Sequence, residues 1–183
     1  ESQKERFNCA VEYMERGYPV FVTKNKQPLK GTRGFKDATT DIKEFVQMFS
    51  KHPTGQIAIV TGHKFWIVDV DIKPDECIDG LDSLLKHFGK DLTIDPETQM
   101  YQTTPSGGMH FFIELPDDDL PIPSSVGVLN GVDIRGHGGY IVISPSGTMI
   151  NNKWKQYKLR NGEDENFIPM CKWTAELLRM ARE

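Results

Sequence analysis

Phe65-Trp66-Ile67-Val68-Asp69-Val70-Asp71 sets two carboxylates two residues apart inside an apolar, β-branched run. A strand turns residues i and i+2 to one face, so Asp69 and Asp71 are expected side by side. Two ionised carboxylates so placed repel each other, and partial burial sharpens the repulsion. A divalent cation relieves it, and Mg²⁺ favours one or two carboxylates together with substrate phosphates. Taken alone, the pair fits two strand-end carboxylates facing water equally well.

A second constellation is Ser106-Gly107-Gly108-Met109-His110. Its glycines can present consecutive backbone N–H groups and Ser106 adds a hydroxyl, the makings of an anion-binding concavity. His110 opens a strand whose other face carries Met109, Phe111 and Ile113. Its imidazole is expected beside any anion held by the turn. By itself the segment also fits an ordinary hairpin turn with a surface histidine. The third is Gly131-Val132-Asp133-Ile134-Arg135-Gly136, where alternation puts Val132 and Ile134 on one face and Asp133 and Arg135 on the other. Read plainly, that is a surface ion pair of small energetic value. Read functionally, Asp133 is a third metal ligand and Arg135 a countercharge whose guanidinium suits phosphate.

The elements that must position these residues follow from periodicity and turn chemistry. Residues 2–16 read as a helix with Phe7, Ala10, Val11 and Met14 on its inner face and Gly17 as its stop. Tyr18 to Thr23 reads as a strand. Asp41 and Glu44 resemble a capping box opening a helix through Phe49, with Ile42, Phe45, Val46 and Phe49 buried. Gln56 to Val60 is a strand, turned at Thr61-Gly62 into the one bearing Asp69 and Asp71. Ile78 to Phe88 is helical with Leu81, Leu84, Leu85 and Phe88 inward. Gln99–Thr103 and Met109–Leu115 form a hairpin. Pro116 to Pro123 is a loop, and Val132–Arg135 with Tyr140–Ser144 are expected as a hairpin around Gly136-His137-Gly138-Gly139. A short strand is expected around Trp154 to Tyr157. Pro169 is expected at the first position of a closing helix with Trp173, Leu177, Leu178 and Ala181 inward. This order predicts an α+β chain of two small sheet modules.

Bulk properties narrow the function classes. At 183 residues and net charge −4, with a pI near 5.8, the chain is not a generally basic nucleic-acid coat protein. Basic residues nevertheless cluster. Lys24, Lys26, Lys30, Arg33 and Lys36 occur with no acid among them, in a stretch that Pro28, Gly31 and Gly34 shape as an exposed loop able to grip phosphate. Lys153, Lys155, Lys158 and Arg160 form a second cluster, which reads more readily as a solvated loop. Cys9, Cys77 and Cys171 are far apart and show no zinc-ligand spacing, as expected for a cytosolic-type domain in a reducing compartment. No apolar stretch is long enough to span a membrane and no signal-peptide pattern is present. A start at Glu1 rather than Met suggests a fragment of a longer chain.

With these residues in hand, the chain resembles the bifunctional primase/polymerase (prim-pol) domain of the archaeo-eukaryotic primase superfamily. Pro28-Leu29-Lys30 and the run Gly34-Phe35-Lys36-Asp37-Ala38-Thr39-Thr40-Asp41, then Ile57 to Gly62, are similar to that domain's opening. The Asp-x-Asp/Glu pair matches Asp69 and Asp71, and the Ser-Gly-Gly-x-His turn matches Ser106 to His110. The last Asp matches Asp133 in Val132-Asp133-Ile134-Arg135-Gly136, followed by Gly138-Gly139-Tyr140 and Ser144-Pro145-Ser146. The similarity runs from about Tyr13 to Gly147.

The resemblance implies an archaeo-eukaryotic primase-like catalytic core. It would have an N-terminal αβαβ module over about residues 1–62, an RRM-like (ferredoxin-like) catalytic module over about 63–160 and a closing helix over about 169–182. It implies DNA primase and DNA polymerase activity, with Asp69, Asp71 and Asp133 binding two Mg²⁺ or Mn²⁺ ions. Ser106, Gly107, Gly108, His110 and Arg135 would hold the triphosphate, with Lys36 and Lys30 as further basic positions. No protein general base is then required. Implied partners are a dNTP or NTP, a single-stranded template and a primer-template, with no membrane. A helical bundle and a helicase domain are implied in a parent replication protein of a plasmid, phage or integrated element acting in the host cytoplasm. Neither segment lies within these residues, so extension is the firmer expectation and initiation stays open. A metal-dependent nuclease is the alternative enzyme. A non-catalytic single-strand-binding RRM-like module is the alternative of another class, and it calls for exposed aromatics and no metal dependence.

Overall fold

Apolar, β-branched runs at Val20–Lys24 and Gln56–Val60 form inner strands of one sheet, and the run Trp66–Val70 around Asp69 forms an inner strand of another. The computed structural model describes residues 2–183, which form two compact units. One comprises residues up to 60 together with 140–158, the other 61–139 together with 159–183. Helices lie at Ser2–Glu15 (α1), Ile42–Lys51 (α2), Gly80–Phe88 (α3) and Lys172–Arg182 (α4). The first strands are Val20–Lys24 (β1), Gln27–Pro28 (β2), Gln56–Val60 (β3), Trp66–Val70 (β4), Ile72–Lys73 (β5), Ile78–Asp79 (β6) and Tyr101–Thr103 (β7). Then follow Met109–Ile113 (β8), Ser125–Leu129 (β9), Val132–Arg135 (β10), Tyr140–Val142 (β11), Gly147–Ile150 (β12), Lys153–Gln156 (β13) and Lys158–Arg160 (β14). The molecule is thus a mixed α+β chain built on antiparallel sheets. Among the described residues no helix is long and apolar enough to cross a membrane.

In the first unit the sheet order is β11-β3-β1-β2. Phe45 and Phe49 of α2 are buried and their rings meet Phe7 of α1 at 5.9 and 5.7 Å. Ile42 and Val46, expected in the same stripe, are exposed. The apolar stripe of α2 is therefore narrower than its sequence spacing suggests. Asp41 does cap α2, accepting from the Lys43 N–H at 2.8 Å. Residues 140–158, grouped with the catalytic module in the sequence reading, belong to this unit instead, because β11 pairs with β3.

That pairing also corrects the expected hairpin of Val132–Arg135 with Tyr140–Ser144. The cause lies in the connecting glycine segment. Gly136 N–H donates to Ser124 Oγ at 2.9 Å and His137 N–H to Ile122 O at 2.7 Å. The segment does make a turn, with Gly139 N–H donating to Gly136 O at 3.0 Å, but these ties hold it to residues 122–124 and the strand that follows pairs with β3 and not β10.

The second unit holds a six-stranded sheet in the order β14-β7-β8-β4-β10-β9. Strand alternation gives it two chemically different faces. Trp66, Val68 and Val70 from β4, Phe111 and Ile113 from β8, and Val132 and Ile134 from β10 share a core with Leu84 of α3 and Trp173, Leu177 and Leu178 of α4. The intervening residues, Asp69, His110, Asp133 and Arg135, are thereby turned to the opposite face. Helix α4 starts at Lys172 with Cys171 as its N-cap, three residues later than Pro169 suggested. Thr174 accepts from the Cys171 N–H at 2.8 Å and makes that boundary.

Candidate active site

Register brings the site together. Asp69 on β4 is the direct cross-strand partner of His110 on β8 and of Asp133 on β10. His110 is in turn the partner of Gln102 on β7. One rung across four strands therefore reads Gln102, His110, Asp69, Asp133. Three of these come from separate sequence motifs, and only strand pairing makes them neighbours.

Asp69 is 8% exposed and both its carboxylate oxygens are engaged. His110 Nε2 lies 3.4 Å from Oδ1. Arg135 reaches Oδ2 with Nε at 3.3 Å and Nη2 at 3.1 Å, two N–H groups converging on one carboxylate oxygen. Burial pushes the Asp69 carboxyl upward, but the contacts with His110 and Arg135 outweigh it. The net position is below the usual carboxylate range. Gln102 Nε2 is 2.8 Å from His110 Nδ1. With the amide N–H donating, Nδ1 is the acceptor and the ring proton sits on Nε2, facing Asp69.

Asp133 is held by different means. Strand β9 meets β10 with a register shift between Val132 and Ile134. At this irregularity Gly127, at φ +67°, donates its N–H to Asp133 Oδ1 at 2.8 Å. Bulges re-aim side chains in this way. The other oxygen, Oδ2, faces Arg135 Nη2 at 3.6 Å. One guanidinium nitrogen therefore serves two carboxylates, and Asp69 and Asp133 already converge on a single cation.

Asp71 lies one residue past the end of β4. Its N–H donates to Gly131 O and its carbonyl accepts from Gly80 N–H, both at 2.8 Å, so the ladder continues through it. Among the described residues no three His, Cys, Asp or Glu side chains gather as a metal-holding group. The donor chemistry fits a divalent cation at Asp69 and Asp133, where Arg135 supplies the positive charge, and Asp71 is not gathered with them.

The Ser106–His110 turn is built differently from the expectation. Gly107 N–H donates to Thr104 O and Gly108 N–H to Thr104 Oγ1, each at 3.0 Å. The two glycine donors are committed inside the turn, which leaves the exposed Ser106 hydroxyl as its outward group. Ser106 Oγ is 3.5 Å from Thr104 Oγ1. Gly108 has a steric role, since a Cβ there would lie 2.4 Å from Val70 O. The turn thus packs backbone to backbone on the strand that carries Asp69. Gly108→Ala is expected to cost about 1–3 kcal/mol by overpacking, read as a lowered midpoint in denaturant.

Lys30 and Lys36 lie in the first unit, both exposed, Lys36 within the 3₁₀ turn Gly34–Asp37. Residues that sequence reasoning missed are Gln102, Thr104 and Gly127. The first two sit in an unremarkable Tyr101-Gln102-Thr103-Thr104 run, and their roles depend on hairpin register. Gly127 acts through its backbone alone.

Compared with known proteins, the chain matches a family model described as bifunctional DNA primase/polymerase, N-terminal, over residues 10–173. No curated protein matches it.

Proposed function

The chain belongs to the bifunctional DNA primase/polymerase family, and from that premise we propose that its second unit carries out template-directed nucleotidyl transfer at the Asp69 rung. The observation that carries this reading is the convergence of Asp69 and Asp133 on one cation, with His110 in register beside them. The inner strand order β7-β8-β4-β10, with α3 between β4 and β7, supports an RRM-like (ferredoxin-like) catalytic module. Where that fold places a second helix, this chain runs through a loop into β9.

Asp69 and Asp133 would hold Mg²⁺ or Mn²⁺, and Asp71, just past the end of β4, would join them only by turning its side chain toward a bound ion. Two such ions supply acidification of the primer 3′-hydroxyl and neutralisation of the departing pyrophosphate. The rest is positioning by the chain's own groups. Gln102 keeps the His110 ring oriented, so that Nε2–H is a directed donor at the edge of the carboxylate pair. Arg135, whose side chain is 40% exposed, would turn part of its fork to the triphosphate once another cation serves the carboxylates. Ser106 would add a hydroxyl contact. Each holds the triphosphate for in-line attack and donates no proton to the reaction. Template and primer would be held through their backbones, making binding salt-sensitive.

His110→Ala is expected to weaken nucleotide binding by about tenfold or more, the loss of one hydrogen bond to a charged group. Equilibrium titration with a nucleotide checks it, and an unchanged Kd removes His110 from the triphosphate site. The function itself is tested with a labelled primer-template and divalent cation, with and without dNTPs or NTPs. Longer products that need nucleotide support polymerisation. Shorter products that need none would establish the nuclease.

A further inference from the structure

Charge is divided very unequally between the two units. The sequence of residues 1–60 and 140–158 carries thirteen Lys and Arg against seven Asp and Glu, and the remainder carries nine against nineteen. A chain of net charge −4 is thus +6 in one unit and −10 in the other. The basic unit also displays the ribbon β12–β13, where Met149 and Trp154 are direct cross-strand partners. They are 58% and 52% exposed, although large apolar side chains normally seek cover.

The ribbon is shaped to hold the indole. A Cβ on Gly147 would lie 2.8 Å from Trp154 Cζ2, so the ring is laid against glycine backbone that no other residue type could provide. Beside it opens a cavity of about 340 Å³ whose lining includes Lys24, Asn25, Leu29, His52 and Met149, and no Asp or Glu. That volume is at the small end for ligand sites and suits one base. Lys153 and Lys155 alternate with Trp154 along β13 and point to the ribbon's other face. They raise the local positive potential without lining the cavity.

We propose that this surface binds single-stranded DNA, one base stacking on the Trp154 indole and the adjacent phosphate meeting Lys24. An aromatic platform accepts any base, and a nearby ammonium supplies the sequence-independent part of the affinity. The choice of DNA as the strand rests on the polymerase reading; the binding itself needs neither nucleotide nor metal.

Intrinsic fluorescence gives a direct test, because Trp66 and Trp173 are fully buried and Trp154 alone of the three tryptophans is exposed. Whole protein is titrated with oligodeoxythymidylate in low salt and EDTA. Saturable quenching is expected. Trp154→Phe should abolish the quenching and keep Kd, measured by anisotropy of labelled oligonucleotide, within a few-fold. Trp154→Ala should raise Kd about tenfold. Lys24→Ala should lower the slope of log K against log salt by roughly 0.7. Circular dichroism of each variant verifies the fold. Quenching retained in Trp154→Phe, or an unchanged Kd in folded Trp154→Ala, overturns the proposal. The two readings fail separately. Quenching without primer extension counts against the polymerase alone, and extension with an unchanged Trp154→Ala Kd counts against this site alone.

Discussion

Asp69→Asn is expected to lower nucleotide incorporation by at least about a hundredfold while leaving the protein folded. The substitution is isosteric and retains an oxygen that accepts from Arg135. It removes the charge at the centre of the rung, where His110 and Arg135 are both directed. The core face of β4, formed by Trp66, Val68 and Val70, is untouched. Single-turnover incorporation gives the rate, and thermal unfolding verifies the fold. Near-wild-type incorporation in the variant would remove Asp69 from the reaction.

Arg135→Ala should destabilise the folded protein through the two carboxylates it leaves unpaired. Without the guanidinium, Asp69 and Asp133 face each other directly across β4 and β10. Like charges in that position destabilise a sheet, and Asp69 has little water to screen it. The expected loss is about 2 kcal/mol near neutral pH, discounted from fully buried pairs because Arg135 is partly exposed. For a chain of this size that lowers Tm by roughly 4–8 °C. Millimolar Mg²⁺ or Mn²⁺ should restore the variant more than it raises the wild type, since the cation takes over the role of the guanidinium. The sign with pH follows from Asp69, whose folded pKa is held below its unfolded value. Its contribution is full above the unfolded pKa and is lost as pH falls through the folded one. The gap between variant and wild type should therefore close below about pH 4. A variant as stable as wild type, or one indifferent to divalent cations, contradicts the shared-cation arrangement.

What could be read in the sequence was whatever depends on local period. Alternation in Ile67–Val70 and Val132–Arg135 assigns those residues to opposite faces, and both segments are strands with the polar members together. The extents of β3 and β10 agree with their apolar runs. What could not be read was pairing between distant segments. Nothing in Tyr140-Ile141-Val142 states that it joins β3 and not β10, since that choice is made by the ties between Gly136–His137 and Ile122–Ser124. Strand β9 was obscured by Pro123 before it and Gly127 within it, the very glycine whose N–H fixes Asp133. The glycine pair at 107–108 suggested open backbone donors, but Thr104, two residues before the motif, uses both. Ile42, Val46 and Leu85 satisfy helical spacing yet remain exposed, because spacing reports a face and not how much of it a neighbour covers.

The most direct test of the shared-carboxylate site is a Mn²⁺ titration of single-nucleotide incorporation on one primer-template, run with wild type and Asp133→Asn side by side. Saturable, cation-dependent addition by the wild type and none by the variant is the predicted result. Incorporation that needs no divalent cation, or that proceeds equally in Asp133→Asn, would contradict the account.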